Sequence, residues 1–138
     1  MIKTYWFDAK HEQIKHDLDL NQEKWNQSEN DLLWVDLFDF SEKEVLEIAD
    51  IFGFHDLTVE DCLSYSPRAK IDNYDDYDFF VLHALRYEEN KDVEISLEQL
   101  NVYLGKNYVV TLHRRTLPNL GRIARQCLDN HFDFMAKG

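Results

Sequence analysis

The apolar run LLWVDLF, which begins at Leu32 and is bounded by the polar Glu29 to Asp31 and by Ser41, predicts a strand of about seven residues. Beyond Ser41 the period changes. Val45, Ile48, Ala49 and Phe52 recur at helical spacing, Ser41 and Glu44 form a capping box, and Gly53 stands where a helix should end. A shorter helix is expected next, with Asp56 or Thr58 as its N-cap and its end near Ser64. In it Leu57, Cys62 and Leu63 can share a face that Glu60 and Asp61 need not join. Pro67 closes this helix–turn–helix corner, because proline cannot continue a helix.

The stretch FFVLHALRY, Phe79 to Tyr87, is nearly continuously apolar and rich in strand formers, as expected of a strand covered on both faces at the centre of a sheet. Leu97 to Leu104 and Tyr108 to Leu112 flank GKN and predict a hairpin, with Gly105 at the positive-φ position of a type II′ turn. Pro118 to Met135 carries Leu120, Ile123, Ala124, Cys127 and Leu128 on one helical stripe and predicts a helix laid on the sheet. Residues 1 to 30 mix short apolar runs with polar stretches and predict a peripheral hairpin and a surface loop. Strand, helices, several strands and a helix, with a central strand too apolar to face water, define an α/β/α sandwich with a mixed, partly antiparallel central sheet.

Composition narrows the partners. The 138 residues fit one domain, since a chain of about 150 residues hides close to 70% of its unfolded surface. Fifteen Lys+Arg against 27 Asp+Glu leave a net charge of −12, which opposes a phosphate backbone and excludes nucleic acid as the main partner. The two cysteines, Cys62 and Cys127, fit no metal-ligand spacing and are expected to be buried thiols of a reducing compartment. No window approaches a membrane span or a signal peptide, so the chain as it stands is expected to be soluble and cytoplasmic.

Several chemistries lack their signatures. HEQIKH places His11 and His16 five apart, whereas a zinc protease needs two histidines four apart on one helical face. IDNYDDYD has four aspartates, yet Tyr74 occupies the third position counted from Asp72 and no glycine stands at the sixth, so a solvated turn is expected rather than a calcium loop. There is no glycine-rich phosphate loop, no nucleophile elbow and no visible catalytic constellation, so no enzyme activity is expected. His55, His83 and His113 are expected to be structural, and Arg114 and Arg115 to pair with the acidic surface.

FGFHDLTVEDCL, Phe52 to Leu63, leaves a question about its adjacent acids. By position alone Glu60 and Asp61 serve a helix N-terminus, where negative charge gains about 0.3–1 kcal/mol. The other use is to hold a cation.

A wider pattern bears on that choice. Gly53 and His55 followed by Glu60 and Asp61, then Pro67, Arg68 and Lys70, then Tyr74 and Tyr77, then Leu104 to Asn107, resembles in order and spacing the N-terminal cytoplasmic domain of the CorA family of magnesium transporters. The resemblance spans about Trp34 to Arg115 and is loose over residues 1 to 30. It implies an α/β/α funnel domain on the cytoplasmic side of the cell membrane, a homopentamer, and a stalk and membrane helices that this chain does not contain. A fragment ending before the stalk is therefore expected. It also implies that Asp61, helped by Glu60, binds a weak regulatory Mg2+ or another divalent cation between subunits, with further ligands on a neighbour's stalk, and that transport is of Mg2+ or Co2+. The competing readings are a zinc-transporting member of the superfamily, for which Cys62 and His55 are the nearest soft ligands, and a free-standing scaffold with no membrane segment.

Overall fold

Burial along Leu32–Phe38 alternates: Leu33, Val35 and Leu37 are fully buried and the residues between them half-buried, the mark of a strand with one face on a core. The computed structural model describes residues 1–10, 12–20, 31–88, 94–115 and 117. Its elements are β1 (Ile2–Asp8), β2 (Gln13–His16), β3 (Leu32–Phe38), α1 (Glu42–Phe52), α2 (Asp56–Leu63), β4 (Lys70–Asn73), β5 (Tyr77–Glu88), β6 (Glu94–Gly105) and β7 (Tyr108–His113). They form one seven-stranded sheet of order β2-β1-β3-β7-β6-β5-β4.

All neighbours are antiparallel except β3 and β7, which run parallel with Val35 opposite Val110 and Leu37 opposite Leu112. The sheet is therefore mixed, as expected. Its centre is not. The short strand β7 occupies the middle, and the apolar strand β5 lies second from an edge. Continuous hydrophobicity misled here because Phe79 and Val81 face the core while Leu82, on the other face, is 40% exposed.

The initial hairpin is present as β1 and β2, but β1 is not peripheral: it pairs with β3 and buries Trp6 and Phe7. Of HEQIKH, Gln13–His16 form strand β2, not the helix that a zinc-protease motif requires. The helix expected over Pro118 to Met135, and with it the second helical layer of the sandwich, lies outside the described residues.

Both α1 and α2 pack on the face that carries Leu33, Val35, Leu37, Phe79, Tyr103, Val110 and Leu112, contributing Val45, Ile48, Ala49, Val59 and Cys62 to one core. The capping box is complete: Ser41 Oγ accepts from Glu44 N at 3.2 Å, and Glu44 Oε1 accepts from Ser41 N at 3.0 Å. That bond to the Ser41 backbone, with the nearby terminal ammonium, holds the Glu44 carboxyl below its usual range.

Gly53 ends α1 at φ +72°, with its N–H donating to Ala49 O. A Cβ added there would meet nothing within 4 Å, so only the backbone penalises a side chain. Gly53→Ala is expected to cost about 1 kcal/mol and Gly53→Asn less, because asparagine tolerates the left-handed region. Equal urea midpoints for the glycine and alanine chains would rule out this account. Gly105 does not have the positive φ expected of it. It is the last residue of β6, and the Tyr108 ring fills the space a Cβ would need.

Candidate functional site

The corner between α1 and α2 is held by aromatic rings. Phe54 stacks on Tyr103, with centroids 3.6 Å apart and planes 4° from parallel, and meets Tyr77 edge-on at 5.0 Å. The next residue starts α2. His55, not Asp56 or Thr58, is the N-cap: its Nδ1 accepts from Leu57 N at 3.1 Å, and its own N–H donates to the Tyr77 hydroxyl at 2.8 Å. An imidazole nitrogen does here what a serine or aspartate oxygen usually does, which the preference for short oxygen side chains could not anticipate.

Thr58 is fully buried beneath the helix, donating to His55 O at 2.6 Å and accepting from the Tyr103 hydroxyl at 2.9 Å. The same hydroxyl lies 3.4 Å from Cys62 Sγ. Burial pushes the free Cys62 thiol up to about 11 and the Tyr103 phenol far above its usual range. Leu57 does not join this face and is 58% exposed; Thr58 and Val59 take its place.

These anchors fix where the two acids fall. α2 is eight residues long, and of the acids only Asp56 lies in its first turn. Glu60 and Asp61 are in the last turn, which carries no basic residue. Negative charge there opposes the helix dipole, so the helix-start explanation fails for both. The sequence misplaced them because a helix capped by Thr58 would hold both in its first turn, whereas the cap is His55 and they fall beyond that turn.

Asp61 Oδ2 lies 2.6 Å from Lys70 Nζ, and Lys70 lies 3.4 Å from Asp72 Oδ2. Lys70 and Asp72 are residues of β4, opposite the buried Val81 and Phe79 of β5, so they point to the helix side of the sheet. The hydrogen bond to Asp61, outweighing partial burial and helped by the charges of Asp61 and Asp72, raises the Lys70 ammonium above its ordinary value. Glu60, Asp61, Lys70, Asp72 and Tyr74 line an open groove of about 610 Å3 at the β4 edge. Glu60 is exposed and the Asp61 side chain is 24% exposed. Nothing in the spacing of Asp61 and Lys70, on a helix and a strand across a loop, reveals their pairing.

Gln99, which no sequence motif singles out, frames the site. Its amide Nε2 lies 3.2 Å from both Asp61 O and Ser64 O, 2.9 Å from Asn101 Oδ1, and its Oε1 accepts from Ser66 N at 2.7 Å. It thereby clasps the C-terminal carbonyls of α2, which no intrahelical partner serves.

The other singled-out residues are structural. His83 Nε2 bonds to Ser66 O at 2.7 Å. Arg114 and Arg115 meet an acid through their backbones, both N–H groups donating to Glu98 Oε1 at 3.0 and 3.1 Å, while the Arg114 guanidinium donates to Phe40 O at 2.9 Å and lies 4.1 Å from the Phe40 ring centroid. IDNYDDYD joins β4 to β5, with Tyr74 to Asp76 as the turn and Tyr74 N donating to Tyr77 O at 2.9 Å, as expected of a strand-end turn. Among the described residues no three His, Cys, Asp or Glu side chains converge as a metal cluster. The donors of the groove are carboxylate oxygens, which suit a hard cation, but one chain supplies only part of a coordination shell.

Groove, corner and sheet define an α/β domain with an acidic rim. A model of the CorA-like Mg2+ transporter protein family matches residues 29–136, and the chain belongs to that family. It is 35% identical over 105 residues to the putative metal ion transporter YfjQ of Bacillus subtilis, and 29% identical over 83 residues to the cobalt/magnesium transport protein CorA of Thermotoga maritima. These alignments take in 76% and 59% of this chain but 31% and 23% of the relatives, so the chain spans about a third of their length or less. Its fold is shared with the complete CorA magnesium transporter of Methanocaldococcus jannaschii, at TM-score 0.66 and 15% identity, covering 95% of this chain and 38% of that one. The ZntB cytoplasmic domain of Vibrio parahaemolyticus matches at TM-score 0.66 and 14% identity, covering 94% of this chain and 49% of that one. Among the described residues no helix is long and apolar enough to cross a membrane.

Proposed function

We propose that this chain is the cytoplasmic regulatory domain of a CorA-type divalent cation transporter, and that it senses Mg2+ through Asp61 with Glu60 beside it. The observation that carries the reading is the position of these acids. They stand at the wrong end of α2 for the helix dipole, on the rim of a groove shared with Asp72, where three carboxylates gather around the single ammonium of Lys70. Asp61 would hold the ion, and Glu60 would add field and outer hydrogen bonding. A bound divalent ion supplies positive charge between carboxylates that repel one another. Because Mg2+ keeps several waters and takes few protein carboxylates, a half-site completed by a neighbouring subunit is sufficient for a weak sensor.

The zinc-transporting alternative needs soft ligands near Asp61. Cys62 is 4% exposed, bonded to Tyr103 and held as a thiol, and the His55 Nδ1 is engaged in capping, so the groove keeps oxygen donors only. The same absence of a nucleophile–base pair in the groove favours a regulatory over a catalytic role.

The test is made in the full-length transporter. With Asp61→Ala the concentration of cytosolic Mg2+ that half-inhibits current should rise by about tenfold, since a ligand acting only in the ion-bound state is lost. Permeation and expression should be unchanged. Inhibition curves that superimpose on those of the parent would sink the sensing role of Asp61.

A further inference from the structure

The ammonium of Lys70 sits where a cation would. It contacts Asp61 at 2.6 Å and Asp72 at 3.4 Å, inside the groove that those two carboxylates and Glu60 line. Its backbone is fixed by the antiparallel ladder between β4 and β5, directly opposite the fully buried Val81. Asp61 in turn is fixed through its backbone carbonyl, which the Gln99 amide holds. Both ends of the pair are therefore anchored on the core, and only the flexible lysine stem is free to move. Surface ion pairs seldom have such anchoring.

We infer that Lys70 is a tethered competitor for the regulatory cation: it occupies Asp61 when divalent ions are scarce and must swing away before an ion can coordinate there. The inference rests on the reading of Asp61 as the ion ligand. Three consequences follow from charge and tethering. First, the ion-free groove is stable, because a resident positive charge offsets the repulsion between Asp61 and Asp72. Second, the site is weaker than its carboxylates alone would make it, since each binding event first breaks the Lys70 pair. Third, the site discriminates by charge. A free monovalent ion carries no more charge than the ammonium it would displace and loses translational freedom that a tethered group does not. A divalent ion carries twice as much. Lys70 thus excludes abundant monovalent cations without a size filter.

The experiment is a titration of the chain with magnesium chloride at constant ionic strength, followed by the amide NMR shifts of Asp61 and Asp72, in the parent and in Lys70→Met, Lys70→Arg, Lys43→Met and Asp61→Asn. Lys70→Met is expected to bind Mg2+ about fivefold more tightly, the scale set by removing one competing ion pair. Lys70→Arg should restore an affinity close to the parent's. Lys43→Met removes a charge on exposed α1, away from the groove, and should change nothing. Equal or weaker binding by Lys70→Met, or equal tightening by Lys43→Met, overturns the competitor role while leaving Asp61 a ligand if Asp61→Asn still weakens binding. Shifts that Asp61→Asn leaves unaltered in both the parent and the Lys70→Met background overturn the ligand reading, and the competitor with it. The titration is carried to a large excess of magnesium, at which the chain's own carboxylates bind without the neighbour's, and the absence of any magnesium-dependent shift in both backgrounds there does the same.

Discussion

Phe54→Ala is expected to destabilise the domain by about 3–5 kcal/mol, a large part of the 5–15 kcal/mol that typically separates folded from unfolded domains. Phe54 is 7% exposed and lies in the three-residue link between the helices, yet its ring touches four others: Phe52, Tyr77, Tyr103 and Tyr108. Truncation removes its burial and leaves the face of Tyr103 open beneath the corner. The gap cannot close easily, because Tyr103 is pinned by Thr58 and Tyr77 by the His55 N–H. Urea unfolding should show a lower midpoint with an unchanged slope. A loss below about 1 kcal/mol would mean that the corner rearranges around the hole.

The second large effect concerns pH. On the sheet face opposite α1 and α2, both ring nitrogens of the buried His113 meet acceptors: Nδ1 lies 2.7 Å from Arg115 O, and Nε2 lies 2.9 Å from Asp36 Oδ1. A carbonyl and a carboxylate can only accept, so both contacts are satisfied together only when both nitrogens donate, in the imidazolium. Burial draws its pKa down, but the Asp36 and Arg115 bonds and the charges of Asp36 and Glu98 outweigh it, and the net direction is up. A raised folded-state pKa contributes stability that is full below the unfolded value near 6.5 and is lost as pH rises through the folded value. Thr111 Oγ1, 2.6 Å from Asp36 Oδ1 and accepting from Trp34 Nε1 at 3.0 Å, holds the carboxylate in place.

Asp36→Asn should reverse the slope. Its amide can donate to a neutral Nε2, so the variant resembles the parent above pH 8 and loses about 2 kcal/mol near pH 6, where charging His113 would leave a buried cation unpaired. Stability measured from pH 5.5 to 9 separates the cases. Parallel profiles for parent and variant would show that His113 is neutral throughout.

Strand β3 and helix α1 were legible because their signals are local: alternation in LLWVDLF, a capping box within four residues, a glycine at the helix end. What could not be read depends on register across the sheet. The same apolar run that marks β5 suits a central or a flanking strand, and only the pairing of β7 with β3 decides between them. Gly105 looked like a turn glycine because a chain shows its own φ preferences and not the Tyr108 ring that comes to lie on it. At the site, the acids were visible and their setting was not. A helix begun one residue earlier, by a histidine, moves Glu60 and Asp61 into the final turn, and Lys70 reaches Asp61 only through the hairpin of β4 and β5.

The position of β7 also governs how the chain can be assembled. It joins two halves, β2-β1-β3 and β6-β5-β4, that touch through no other strand of the sheet. Asp36 and His113 meet across 77 positions of sequence. Until residues 108 to 113 have left the ribosome, each half presents an open edge, and the core residues Leu33, Val35 and Leu37 have no strand beside them on that side. Closure of so long a loop carries its entropic cost before any contact repays it, which places folding of such a sheet in the slow, non-local regime. The last of the described strands to be synthesised thus sits at the middle of the sheet, and both neighbouring edges stay open until it arrives.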